Sequence, residues 1–150
     1  MRVSRVLQGR LNRSQAYQKF AELRNSDELP GLGPAYFTKL IFFLMTDRER
    51  PGYIMDQWTS ASVNLLFEQT IVHTTVQKNF KNDGSFKVSE FVNDSNSQQQ
   101  YDKFCQAVEC LAKKLDVSSE RTEEMMFSEG RGRGVWRNYV VKQRNQSLTV

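Results

Sequence analysis

Histidine and cysteine are almost missing from this chain, and their scarcity removes several chemistries at once. His73 is the single histidine, and Cys105 and Cys110 are the two cysteines among 150 residues. Two thiols and one imidazole, in no ligand spacing of the usual kind, do not make a zinc site. The pattern of the C-terminal half puts both cysteines on one helix. Five positions apart there, they point in different directions and would make a poor disulfide. Reduced cysteines fit a cytoplasmic protein. Long apolar runs are absent too: Leu40–Met45 is the longest, far short of the roughly 20 residues of a membrane-spanning helix. The arginines near the N-terminus are followed by no apolar stretch, so no signal peptide is read there. His73 reads as a surface or packing residue without a role.

What is present describes an ordinary globular domain. A chain that is 39% hydrophobic and 25% charged has the composition of a soluble protein, and its length allows one buried core. We expect a single domain over residues 1–150. The net charge of +4 is modest but uneven. Residues 1–24 carry six Lys or Arg against one Glu, and residues 131–150 carry five against none. The stretch between them holds ten basic and sixteen acidic residues. Basic ends of this kind either build a local phosphate-binding face or remain solvated tails, and charge alone does not choose.

The periodicity predicts a mostly α-helical, all-α protein with at most one small hairpin. Ser14 is expected to cap a helix over Gln15–Arg24, with Tyr17, Phe20, Ala21 and Leu23 inward. A breaker-rich connection, Asn25 to Gly33, leads to a second helix that starts at Pro34, a residue suited to a first helical position, and ends near Met45 or Thr46. After a polar turn over 47–52, Asp56 is a good N-cap for a helix through Leu66, with Trp58, Ala61, Leu65 and Leu66 as its buried stripe. Asn82-Asp83-Gly84 signals a turn, so residues 80–92 form a small hairpin or an irregular loop. A helix from Asp94 or Ser95 would bury Tyr101, Phe104, Cys105, Val108, Leu111, Ala112 and Leu115. Ser118 or Ser119 then caps another through Phe127, and the glycine-rich stretch 130–134 precedes an aromatic, basic tail at 136–144.

The chemistry is expected in residues 29–66. Two helices joined by Gly-x-Gly form a device for holding a phosphate backbone. The glycines turn tightly and let nucleic acid approach the main chain, while the amides that open the second helix favour an anion. Leu29-Pro30-Gly31-Leu32-Gly33-Pro34 fits this device. The helix that follows is apolar apart from Thr38 and Lys39. A lysine so placed either snorkels to water or is partly desolvated, which lowers its pKa and frees a nucleophilic amine. Asp56 lies seventeen residues further on. As an N-cap it is either structural only or, facing a lysine across a cleft, able to take that lysine's proton or to stabilise a cationic sugar.

Gly-Leu-Gly-Pro-Ala-Tyr-Phe-Thr-Lys-Leu at 31–40 and Met-Asp-Gln-Trp-Thr at 55–59 together resemble the helix-hairpin-helix DNA glycosylase superfamily. Within it the chain is most similar to the bacterial 8-oxoguanine glycosylase-fold proteins, with support from Met126-Phe127-Ser128 and Gly-Arg-Gly-Val-Trp-Arg at 132–137. The resemblance implies a protein that binds DNA and flips a modified base, an oxidised purine, out of the duplex to excise it. Asp56 matches the catalytic Asp that assists loss of the base. In bifunctional members a lysine attacks the sugar carbon, forms a Schiff base and permits strand cleavage at the abasic site. Most members place that lysine where Ala35 stands here. Lys39 is one turn deeper on the same face, and its separation from Asp56 is comparable to the family's, so Lys39 is the candidate nucleophile.

By the same resemblance Gly31, Leu32, Gly33 and Pro34 would form the phosphate-binding hairpin, with main-chain amides making the contacts. No organic cofactor or metal is implied, although a monovalent cation at the hairpin is compatible with the family, and there is no cysteine cluster for an iron–sulfur centre. Family members carry several helices before the hairpin, where about 28 residues stand here, so the chain is a natural minimal form, a fragment, or a subunit whose cleft a protein partner or a homodimer completes. Cytoplasmic, nucleoid-associated localisation follows. The alternative is a non-catalytic DNA-binding or interaction module in a repair or defence complex. Arg131, Arg133 and Arg137, beside Trp136 and Tyr139, either contact phosphates and stack on an unpaired base or decorate a C-terminal helix anchored by those two aromatics. Trp58 is expected in the core, and Tyr36 and Phe37 beneath the hairpin.

Overall fold

The computed structural model describes residues 11–45, 49–127 and 134–147. Within them the chain is mostly helical with a small two-stranded sheet. Helix α1 (Arg13–Asn25) begins two residues before the expected start, because Asn12 rather than Ser14 caps it. The Asn12 side chain accepts from the Gln15 amide, and the Gln15 side chain returns to the Asn12 N–H. Helix α2 (Pro34–Leu44) has Pro34 in its first turn, as expected, and α3 (Gln57–Leu66) opens on Asp56. Strands β1 (Thr74–Phe80) and β2 (Phe86–Val92) pair antiparallel around the Asn82-Asp83-Gly84 turn. The hairpin thus starts six residues earlier than expected, in a β-branched stretch (Thr74, Thr75, Val76) suited to a pleated surface.

Helix α4 (Gln98–Leu115) is capped by Ser97, not by Asp94 or Ser95. Those two lie in a turn in which the Ser95 amide donates to Asn93 Oδ1 at 2.9 Å and the Asn96 amide to the Asn93 carbonyl at 3.2 Å. Helix α5 (Ser119–Met126) is capped by Ser118, and the expected tail is a helix, α6 (Val135–Ser147).

The core is an aromatic cluster between α1, α2 and α4. Tyr17 stacks on Tyr101 at 4.7 Å and meets the edge of Phe37 at 4.8 Å, and Phe20 stacks on Phe37. Such pairs add to the area they bury when they adopt these geometries. The hydroxyl of Tyr17 donates to the Asn96 carbonyl at 2.9 Å, so its polar end is satisfied in the interior. Cys105 is buried in this cluster, and burial pushes its thiol up to about 12; both cysteines are free. Arg13, 4% exposed, closes the cluster with bonds to Asp102 (2.8 Å), to the Pro51 carbonyl (3.3 Å) and to Glu109. Of the α4 stripe, Leu115 is exposed, because the helix ends there at Asp116 in the left-handed region.

Three further burial expectations change. Helix α3 buries Thr59, Ser60, Ser62 and Val63 rather than Trp58, Ala61 and Leu65, and Leu66 is exposed. Small hydroxyl residues let α4, α5 and α6 pack against α3, and the Trp136 indole donates to Ser62 Oγ at 2.8 Å. Tyr36 is 60% exposed, although its neighbour Phe37 is buried. On α6 the buried anchor is Val140, while Tyr139 is exposed and Trp136 half-buried.

Candidate active site

A cleft of about 750 Å³ opens between the start of α2, the start of α3, strand β2 and the end of α6. Gly31, Gly33, Pro34, Ala35, Lys39 and Asp56 all border it. Residues separated by up to 25 positions in sequence therefore meet at one opening.

The turn before α2 has the conformation that glycine serves. Gly31 has φ +74, a left-handed value, and the position of a Cβ there meets no atom within 4 Å. Gly33 is the N-cap of α2 in extended backbone, and it has no side chain to cap the helix. Helices α1, α3, α4 and α5 each start with a side-chain cap, so α2 differs from them at this point. Its Tyr36 and Phe37 amides bond inward to the Gly33 carbonyl at 2.9 and 3.1 Å. Pro34 contributes no N–H and the Leu32 amide donates to the Leu29 carbonyl at 3.3 Å, which leaves the amides of Gly31, Gly33 and Ala35 to face an anion.

Lys39 lies one helical turn beyond Ala35, on the same side of α2, and both reach the cleft. Its ammonium sits 5.6 Å from the centre of the Tyr36 ring, a cation–π contact on the open rim. Across the cleft, Asp56 accepts the Trp58 and Thr59 amides on Oδ1, at 2.8 and 3.1 Å. Burial raises the Asp56 pKa above its ordinary value; these amide bonds and the charge of Lys39 oppose the rise without cancelling it. Lys39 and Asp56 are thus close enough to feel one another electrostatically.

The main chain leading to Asp56 is held at successive atoms by side chains from α2, α3, α4 and α5. Tyr101 of α4 donates to the Tyr53 carbonyl at 2.9 Å. The Ile54 amide donates to Glu123 of α5. Thr59 of α3 donates to the Ile54 carbonyl at 2.6 Å and accepts from the Asp56 amide at 3.0 Å. Thr38 of α2 accepts the Met55 amide at 3.1 Å and donates to the Pro34 carbonyl at 2.7 Å. Thr38 therefore ties the segment before Asp56 to the first turn of the helix that carries Lys39. Burial pushes the Glu123 carboxyl up to about 8, opposed by the Ile54 amide and helped by the charges of Asp56 and Glu120.

Strand β2 and helix α6 form the far wall. Arg144 pairs with Glu90 at 3.6 Å, both well buried, and Arg24 of α1 pairs with Asp94. With its amide turned to suit its neighbours, Gln57 donates to the Glu90 carbonyl at 3.0 Å and accepts from the Trp58 indole at 3.2 Å. Trp58 is half-buried on the cleft wall rather than in the core, with the Arg137 guanidinium 3.9 Å from its ring centre. Arg137 covers Trp58 and does not itself border the cleft. Leu32 packs against the core from the turn. Arg131 and Arg133 lie outside the described residues.

The structure brings Lys39, Asp56 and the Gly31–Pro34 turn together. Sequence reasoning missed Thr38, Glu123, Lys87, Glu90 and Arg144. For Glu123 a signal existed: Thr122, Glu123 and Met126 share the inward side of α5 at helical spacing. Among the described residues no group of His, Cys, Asp and Glu is placed to hold a metal, and no helix is long and apolar enough to cross a membrane.

The family model described as "Putative 8-oxoguanine DNA glycosylase OGG-like protein" matches residues 2–127. No curated protein and no solved structure matches the chain.

Proposed function

From the premise that this chain belongs to the 8-oxoguanine DNA glycosylase OGG-like family, we propose that it excises an oxidised purine from DNA and cleaves the resulting abasic site through Lys39. The observation that carries the reading is that Lys39 and Asp56 border a single open cleft. In this reading α1, the Gly31–Gly33 turn and α2 act as a helix-hairpin-helix. Its turn amides hold a phosphate, which positions the neighbouring flipped nucleotide over Asp56. By the family resemblance a monovalent cation would sit at the turn, and no organic cofactor enters the steps below.

Lys39 starts as an ammonium and must lose a proton before it can attack. Asp56, its carboxyl raised by burial, is the acceptor across the cleft. The amine then forms a bond to C1′ of the sugar as the glycosidic C1′–N bond breaks, and the base leaves with the electron pair. As the base departs it takes this proton from Asp56, and the carboxylate so restored, fixed by two amides, stabilises the positive charge left on the sugar without reorganising. Ring opening gives the Schiff base, and loss of a C2′ proton expels the 3′ phosphate.

Borohydride trapping on duplex DNA carrying 8-oxoguanine or an abasic site tests the proposal, with base release measured in parallel. A covalent adduct in the wild type that vanishes in Lys39→Ala, and base release lost in Asp56→Asn, is the expected result. Release without trapping would leave a monofunctional glycosylase and remove Lys39 from the mechanism. Binding with neither activity would mean that the chain is a non-catalytic DNA-binding module.

A further inference from the structure

We propose that the tip of the β1–β2 hairpin is a DNA-contacting element, in which Phe80 and Phe86 stack on unstacked bases while Lys78, Lys81 and Lys87 meet the flanking phosphates. The inference rests on the reading of the cleft as a DNA site and adds a contact surface outside the Lys39–Asp56 centre.

The register places Phe80 opposite Phe86, Lys78 opposite Val88, Val76 opposite Glu90 and Thr74 opposite Val92. Alternation along each strand puts all eight on one face. At the base of the hairpin that face is buried against the body: Val92 is 9% and Glu90 7% exposed. At the tip the same face runs out past the body, and Phe80 and Phe86 are 73% and 53% exposed. Their rings pack on each other at 5.8 Å, and the Lys78 ammonium lies 5.5 Å from the centre of Phe86. An aromatic pair with Lys78 on its own face, Lys81 at the turn and Lys87 on the opposite face suits nucleic acid, because every base offers a π-face and the phosphates to either side offer charge. Aromatic wedges that enter a base step work in the same way.

The tip is held firmly for this use. Gly84 takes the left-handed conformation in the turn, and Asp83 accepts from the Ser85 amide at 2.9 Å and from its hydroxyl at 2.6 Å. These bonds favour the ionised form of the exposed Asp83, so its single negative charge stands against the three lysines Lys78, Lys81 and Lys87 around the tip. At the base the Asn93 amide donates to the His73 carbonyl at 2.9 Å, and Asn96 accepts the His73 amide at 2.9 Å.

Continuity with the cleft fixes where the contact falls. Residues 87–92 of β2 border the cleft together with Lys39 and Asp56. A strand rises about 3.3 Å per residue, so Phe86 lies roughly 13 Å along β2 from Glu90. That distance corresponds to about four nucleotides of one strand at about 3.4 Å each. The tip would therefore grip the duplex within a few base steps of the nucleotide in the cleft, where flipping has loosened the stack.

The test measures binding of the full chain to a short labelled duplex carrying a tetrahydrofuran abasic-site analogue, and to its undamaged counterpart, over a series of salt concentrations. The variants are Phe80→Ser/Phe86→Ser and Lys81→Gln/Lys87→Gln, with circular dichroism showing that each keeps the wild-type fold. The phenylalanine variant is expected to lose tenfold or more in affinity for the abasic duplex, with the salt dependence unchanged. The lysine variant is expected to lower the slope of log K against log salt by about two on both duplexes. Wild-type binding matched by an unchanged phenylalanine variant would overturn the tip assignment and leave the cleft reading standing. A wild type that binds neither duplex would overturn both. A wild-type dimer that becomes monomeric in the phenylalanine variant would give the tip to a second copy of the chain and overturn the assignment to DNA.

Discussion

Replacing Glu123 by glutamine should flatten the pH dependence of this protein's stability. Glu123 is 3% exposed and receives the Ile54 amide. In the unfolded chain its carboxyl titrates near 4.5; in the folded protein burial, aided by Asp56 and Glu120, moves it to about 8. Between those two values the folded protein holds a proton that the unfolded chain has released. Stability therefore falls as pH rises through this window: the contribution is fully present below 4.5 and lost above about 8. At about 1.4 kcal/mol per pH unit, the interval amounts to ~5 kcal/mol. This is a third or more of the roughly 5–15 kcal/mol that holds an ordinary domain together.

The Glu123→Gln side chain would keep a carbonyl for the Ile54 amide and could not ionise. Urea unfolding followed by far-ultraviolet circular dichroism at pH 5, 7 and 9 makes the comparison. At pH 5 the two proteins should agree within ~1 kcal/mol, since both side chains are neutral in the folded state and both satisfy Ile54. At pH 9 the variant should be the more stable by ~3–5 kcal/mol. Asp56 is also raised by burial and contributes with the same sign in both proteins, so the difference isolates Glu123 together with its coupling to Asp56. Stability curves that run parallel from pH 5 to 9 would refute the reasoning and mean that Glu123 is already ionised in the folded protein at the lowest pH.

Thr38→Val should leave the Met55 amide buried without an acceptor, costing ~1–3 kcal/mol. Hydrogen exchange at Met55 should accelerate, and trapping should slow through kcat more than KM as Asp56 loses its tie to α2. Gly52→Ala would set a Cβ 2.5 Å from Ile41 and 2.7 Å from the Tyr101 hydroxyl. A loss of ~1–3 kcal/mol is expected, read as a fall in Tm of roughly 2–4 °C per kcal/mol. Arg13→Ala strips the half-buried Asp102 and Glu109 of their shared cation and should cost ~1.5–3 kcal/mol at neutral pH. Although burial opposes it, Arg13 holds the Asp102 carboxyl below its ordinary value, a contribution present at neutral pH and lost as pH falls through the lowered value. The deficit of the variant in urea unfolding should accordingly shrink in acid.

Much of the fold was legible because its elements are written in local rules. Pro34 at the head of α2, Asp56 at the head of α3 and Ser118 at the head of α5 are caps or starts that need only neighbours in sequence. The amphipathic stripe of α4 was equally plain, down to Tyr101, Phe104, Cys105 and Val108. Burial on α3 was not, because the rule that apolar residues face inward fails where helices meet over small hydroxyl side chains. Ser60 and Ser62 go inside there, and Trp58 turns to the cleft, where Arg137 covers it. The strand start at Thr74 was obscured because β1 is exposed on both faces over its outer half, which leaves no hydrophobic alternation to read.

The candidate site divides along the same line. Gly31, Gly33 and Asp56 could be singled out from sequence because turn and cap chemistry is short-range. What fixes their relation to each other is long-range and polar: Thr38 reaching Met55, Glu123 reaching Ile54 and Tyr101 reaching the Tyr53 carbonyl. These partners lie 17, 69 and 48 positions away, and a side chain that bonds to main chain leaves no complementary residue type for a reader to pair it with. In sequence Thr38 is an interruption in an apolar helix and Glu123 one acid among several. In three dimensions they fix the spacing between the helix that carries Lys39 and the segment that carries Asp56. A chemistry that needs an amine and a carboxylate on opposite sides of one sugar depends on that spacing as much as on the two residues themselves.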